Sequence, residues 1–257
     1  MTNATSTKTE AYRQKLNSLG DWDSFLLAES GIPGPRGNLE LAAAAADVGD
    51  ESRFRQWLQC TADRAPTNTS GEFLAVCGVI GFGRLLAEGR VDLLSAIRKC
   101  AVDIRWRVRE AVAMALQRWG DADMNALLTE MEEWSNGSLL EQRAAAAALC
   151  EPRLLRQPDQ VQRVLAILDH STASLAQHRN ADSKVAEALL ALKKGLGYCW
   201  SVAVVASPNN GKQYMEKWLA SDNKDIRWIM RENLKKNRLL KMDAAWVESA
   251  LQRLNAT

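Results

Sequence analysis

An arginine beside a tryptophan, with a second arginine one helical turn further on, occurs twice in the chain. The phrases are DIRWRVRE at 103–110 and DIRWIMRE at 225–232, identical at six of eight positions. A guanidinium donates in a fork that fits carboxylate or phosphate, and an indole offers a face on which a base or a cation stacks. The residues able to bind are therefore Arg105, Trp106 and Arg109 in the first copy, and Arg227, Trp228 and Arg231 in the second. Read as one helix at about 100° per residue from 225 to 240, Arg227, Arg231, Lys235 and Arg238 fall within about 80° of one another. Trp228 borders that stripe, and Ile226, Met230 and Leu234 form the inward side. The first copy continues with Ala113 and Leu116 instead, so only the second carries a long basic stripe. The same residues have a structural reading. The aspartate caps a helix, the isoleucine and the residue before the second arginine turn inward, and Arg109 or Arg231 bonds toward a neighbouring unit.

Other groups give no catalytic constellation. His170 and His178 stand eight residues apart, outside any HxxxH or HE pair, and no GxSxG occurs. NNGK (209–212) lacks the preceding glycine and following Ser/Thr of a phosphate loop and reads as a turn. GVIGFG (78–83) has the wrong glycine spacing for a dinucleotide fingerprint and sits in a helical pattern, where close helix packing explains it. Asp21 with Asp23, and Glu132 with Glu133, read as solvated faces. The five cysteines are odd in number and form no CxxC pair, which predicts neither a disulfide framework nor a zinc site. No catalytic residue, metal or cofactor is expected.

Net charge is +2, so no whole-molecule field points to nucleic acid or membrane. Charge is nonetheless polarised along the chain. Lys224 to Lys241 holds seven Lys/Arg and two acids, whereas Asp121 to Glu141 holds six acids and no Lys/Arg. The N-terminus, MTNATSTKTE, lacks the apolar core of a signal peptide, and no run of about 18 apolar residues predicts a membrane helix. Cysteines scattered through apolar runs suit a reducing cytoplasm, the expected location.

The elements that must position these residues are helices. Alternating apolar–polar runs are almost absent, and helical periodicity is pervasive. The two phrases begin 225 − 103 = 122 residues apart, about three times a 41-residue helical unit. Intervening units are LLEQRAAAAALCEP (139–152), with Arg143 in the place of Arg109, and SKVAEALLALKKGLGYCWSVAVVASP (183–208). Earlier ones are GEFLAVCGVIGFGRLLAEG (71–89) and the tight pair LELAAAAADVGDESRFRQWLQC (39–60). VREAVAMALQRWGD (108–121) carries V-R-x-A-x-x-x-L followed by G-D, and through it the chain resembles HEAT-repeat proteins over roughly residues 38–257. The resemblance implies an all-α, right-handed solenoid of stacked antiparallel helix pairs, about five or six repeats. Residues 1–37 would be a polar tail, disordered over the first ten residues, and a helical cap. Local chemistry fits helices. Asp103 and Asp225 are candidate N-caps, Thr69 and Glu72 have capping-box spacing, Pro158 suits a first turn, and Gly120–Asp121 suits a break.

A solenoid of this family is mostly a platform for contacts. The expected function is therefore non-enzymatic binding of a partner protein through the concave face, with nucleic-acid binding by the C-terminal basic and Trp stripe as the alternative. The segment 200–228 is similar in layout to HEAT-like alkylpurine DNA glycosylases. Those carry acidic residues directly after a Trp that Trp200 would match, and here Ser201, Val202, Ala203 and Val204 follow instead. The iron-binding HEAT-repeat hydroxylases need His-Glu pairs that this chain lacks.

Overall fold

The computed structural model describes residues 2–178 and 183–256, and all regular structure among them is helical. The chain packs as two compact units, Met1–Ala122 and Asp123–Thr257. The first holds α1 (Thr2–Ser18), α2 (Trp22–Ala28), α3 (Leu39–Val48), α4 (Glu51–Leu58), α5 (Ser70–Ala87), α6 (Leu94–Cys100) and α7 (Trp106–Ala122). The second holds α8 (Met124–Ser135), α9 (Leu139–Leu149), α10 (Pro158–Gln177), α11 (Ser183–Ala206), α12 (Pro208–Leu219), α13 (Lys224–Leu234), α14 (Asn237–Met242) and α15 (Ala244–Ala256).

In the first unit α1, α3, α5 and α7 pack in series, while α2, α4 and α6 lie against α5 or α7. Helix α5 is apolar almost all round and buried along nearly its whole length, as expected for a helix enclosed by neighbours. Its glycines let those neighbours come close. A Cβ on Gly81 would lie 2.5 Å from the Phe54 ring, and one on Gly83 would lie 2.3 Å from Ala115 Cα. Helix α3 contributes the buried, small Ala42, Ala44, Ala45 and Ala46. Its C-terminal end is tied down by Arg84, which donates to the carbonyls of Ala46 (2.8 Å) and Gly49 (2.9 Å). Asp47 accepts from Arg13 (2.9 Å) and Arg118 (2.7 Å), joining α1, α3 and α7. The N-terminal residues expected to be disordered are thus helical from Thr2, in a helix packed on α3.

In the second unit α9, α11 and α13 pack in series, and α8, α10, α12 and α15 pack against them and one another. Buried Asn233 braces this series. Its Oδ1 accepts from the Ser201 N–H (2.8 Å), and its Nδ2 donates to the carbonyls of Leu196 and Ile229 (2.8 Å each). The Trp200 indole donates to Thr172 Oγ1 (3.1 Å) across α10 and α11.

Local expectations divide. Pro158 opens α10, and LELAAAAADVGDESRFRQWLQC forms the pair α3–α4, hinged at Gly49 and Asp50. Asp103 and Asp225 are not the caps. Asn223 caps α13 and Asp225 lies inside it, while α7 starts three residues after Asp103. Thr69 makes no side-chain cap bond, because its hydroxyl turns back to the Pro66 carbonyl. Helix α7 continues through Gly120 and Asp121, and Asp123 caps the next helix. NNGK, expected to be a turn, lies within the first turns of α12. Two helical segments, Ser70–Ala87 and Val185–Ala206, are long and apolar enough to cross a membrane, against the expectation of none. The first is 72% buried among its neighbours, the setting of a core helix.

The glycine contacts generate a prediction. Gly83→Ala forces a methyl group into the Ala115 backbone and is expected to cost about 1–3 kcal/mol, read as a lowered urea midpoint. Gly195→Ala meets only Arg143 Cγ at 3.5 Å and is expected to be neutral or to stabilise by up to about 1 kcal/mol. Equal midpoints for the two variants would refute the close α5–α7 approach.

Candidate functional site

The first DIRW copy is built into the interior of its unit. Arg105 is only 2% exposed. Its guanidinium is held by the Asp103 carboxylate (2.8 Å) and donates to the carbonyls of Cys60 (2.7 Å) and Ala65 (3.1 Å). Arg109, also buried, donates back to the carbonyls of Asp103 (2.6 Å) and Ile104 (3.0 Å). Arg107 pairs with fully buried Glu72 (3.0 Å) and stacks over the Trp106 ring at 4.4 Å. Arg105 and Arg109 are therefore clamps on loop carbonyls, not groups open to a ligand. Ile104 was expected inside and is 72% exposed, because the chain is still in a loop there; Val108, on α7, is buried as expected. Trp106 is 44% exposed, with one face taken by Arg107.

The second copy lies in the first turns of α13. Ile226, Met230 and Leu234 are buried, as its wheel requires. The stripe itself is broken. Helix α13 ends at Leu234, Lys235 caps it, Lys236 turns extended, and Arg238 belongs to α14. Arg227 points to the Leu254 carbonyl on α15. Trp228 packs on Gly197 of α11, where an added Cβ would lie 2.9 Å from the ring, and Lys193 sits over it at 4.9 Å. Lys235 pairs with Glu232. Arg231 is the member of the predicted set left without a side-chain partner among the described residues.

Charge in the second unit is divided by helix. Cations on α10, α12 and α15 are neutralised by carboxylates. Arg163 pairs with Glu132 (2.7 Å), Lys217 with Asp169 (2.9 Å), Lys212 with Asp243, and Arg253 with Glu216 (3.4 Å). On α11, α13 and the segment through α14, Lys193 and Lys235 are paired. Lys194, Arg231, Lys236, Arg238 and Lys241 have no carboxylate partner among the described residues. Exposed Tyr198 stands among them. Arg238 donates to its hydroxyl (2.7 Å) and stacks on its ring at 4.6 Å, with Lys236 over the same ring at 5.8 Å. Leu190, Val205 and Leu240 are exposed apolar residues of the same helices. An open depression of about 230 Å³ is lined by Pro152, Leu155, Val202, Val205, Ala206 and Arg238.

Sequence reasoning reached Arg231, Lys235 and Arg238 but missed Lys194, Tyr198 and Val205. The available signal was a pair of lysines and a tyrosine interrupting the apolar run of α11.

Two thiols are shielded rather than activated. Burial pushes the Cys77 thiol far above its ordinary range and the Cys100 thiol up to about 11, so neither is a ready thiolate. Both histidines are exposed, and no cluster of three or more His, Cys, Asp or Glu suited to a metal occurs among the described residues. Six of the nine tryptophans, Trp22, Trp57, Trp119, Trp134, Trp200 and Trp218, are buried core fillers. Trp200 itself is fully enclosed.

These environments separate the two copies by experiment. Arg105→Ala strands the part-buried Asp103 carboxylate and two carbonyls, and is expected to cost about 3–5 kcal/mol. Arg231→Ala is expected to stay within about 0.5 kcal/mol. Urea unfolding of both variants decides, and comparable losses would contradict the assignment. Burial raises the Asp103 carboxyl and the Arg105 hydrogen bonds lower it, with a net position below the ordinary range. A depressed folded value means that this contribution is complete above the unfolded value of about 3.9 and is lost as pH falls through the folded one. The wild type should then lose more stability in acid than Asp103→Asn, whose side chain does not titrate.

No family model, curated protein or solved structure matches the chain.

Proposed function

We propose that each unit is a short run of HEAT-like helix pairs and that the protein is a non-enzymatic binding module, acting in a reducing compartment such as the cytoplasm. The serial packing of α1, α3, α5 and α7, and of α9, α11 and α13, supports the repeat reading. Five cysteines without a disulfide are compatible with the compartment. The partner is a protein, and the engaging surface is the side of the second unit carried by α11, α13 and α14. A single observation carries this. Cations without carboxylate partners stand beside exposed Leu190, Tyr198, Val205 and Leu240, while the cations of α10, α12 and α15 are neutralised. Unpaired charge gives long-range attraction and orientation, and exposed apolar area gives burial on contact. Nucleic acid is the second reading, favoured by the cations around Tyr198. It ranks lower because phosphate has no use for three exposed aliphatic side chains.

The test places a photo-activated benzophenone amino acid at Lys194 or Lys241, and at Glu248 on α15 as control, in the source cells. A discrete protein adduct at the first two positions and none at the third is expected. Adducts at Glu248 alone, or none anywhere, would sink the proposal. In parallel, labelled duplex and single-stranded DNA are titrated at about 50 and 200 mM salt. Micromolar binding that collapses with salt and with Lys194→Glu plus Arg231→Glu would move nucleic acid to first place.

A further inference from the structure

The depression beside Tyr198 says more about the partner. Its floor is Leu155 and Val202, both nearly closed to solvent, and one wall is Val205, which is 36% exposed. It is open on one side and has room for a single large apolar side chain rather than an enclosed small molecule. Its one charged lining group is Arg238. Arg238 spends Nη2 on the Tyr198 hydroxyl and lies on the Tyr198 ring, so its guanidinium plane is held in place. Its Nε and Nη1 have no partner among the described residues. A guanidinium already fixed by stacking loses little freedom when it forks onto a carboxylate. Lys236, over the same ring, and Lys241, on the same short helix, add positive charge and form no ion pair among the described residues.

We infer that this depression receives an acidic linear segment of a partner protein: one leucine or aromatic side chain enters the depression, and a neighbouring Asp or Glu carboxylate is taken by Arg238 with Lys236 behind it. Charge complementarity selects this occupant. A basic or neutral apolar peptide would leave the cations facing like charge or nothing, and would leave the free donors of Arg238 unsatisfied at the contact. The inference rests on the protein-binding reading above and narrows it to one chemistry and one place.

The experiment pans a random linear peptide library on the full chain and measures enriched, labelled peptides by fluorescence anisotropy. Enrichment of Leu, Phe or Trp next to Asp or Glu is expected. Affinity should fall roughly tenfold or more with Arg238→Glu and with Val205→Glu, and should fall with salt. Arg238→Lys keeps the charge but not the fork and should lie between. Val205 is exposed and outside the Tyr198 contact, so its variant keeps the test sound if Arg238→Glu disturbs the fold by circular dichroism. Enriched peptides that are basic or uncharged would overturn the inference. So would acidic peptides indifferent to both variants yet lost with Lys194→Glu plus Arg231→Glu, an outcome that leaves the wider binding surface standing. A library yielding no binder overturns the inference too, and the photo-adducts then judge the protein-binding reading separately.

Discussion

Helices in both units approach one another through small side chains, and much else depends on that closeness. In the first unit Gly83 leaves no room for even a methyl group against the Ala115 backbone, and Gly81 is filled by the Phe54 ring. In the second, Gly211 sits on the Val204 backbone and Gly197 under Trp228. Helices α3 and α9 present alanines at their contacts. Close approach brings backbone within reach of side chains from the next helix. This is why Arg84 can hold the end of α3 and why Asn233 can bond to α11. Small residues contribute little apolar area each, so the large buried side chains, Trp57, Trp134, Trp200, Phe54, Phe73 and Phe82, supply much of the bulk of the core.

The repeated DIRW phrase shows how the same residues take different roles. In the first copy the helix starts at Trp106, so Asp103 to Arg105 lie in a loop whose carbonyls need donors. Arg109 turns inward and satisfies those of Asp103 and Ile104, while Arg105 donates to the carbonyls of Cys60 and Ala65. In the second copy Asn223 starts the helix earlier and the whole phrase is helical. Its carbonyls bond within the helix; Arg227 turns to the Leu254 carbonyl on α15, and Arg231 is left at the helix surface. The difference is one of where the helix begins, and a shift of four residues is enough to convert the second arginine from a clamp into a surface group.

The binding proposed for the second unit rests on what its helices leave uncancelled. Carboxylates on α8, α10, α12 and the α14–α15 junction meet the cations of their own layer. On α13, Asp225 and Glu232 are taken by Lys193 and Lys235. The remaining cations keep their field, and Tyr198 gathers two of them over one ring. A field beside apolar surface suits recognition, since one steers and the other holds.

The sequence by itself determined that the protein is all-α, roughly where most helices lie, and that most tryptophans fill the core. Those properties are written in neighbours three and four residues apart, and a periodicity read locally survives any tertiary arrangement. Helix starts were less legible. An aspartate, an asparagine or a free backbone turn can each open a helix, and Asn223 displaced Asp225 by two residues. The basic stripe was legible only as a set of residues. Its continuity needed one helix from 225 to 240, and Lys236 ended it. Tertiary structure alone decided which cations are free. Lys217 finds Asp169 across 48 residues and Arg238 finds Tyr198 across 40, and no local pattern encodes such meetings. Charge pairing acts through space, whereas periodicity acts along the chain.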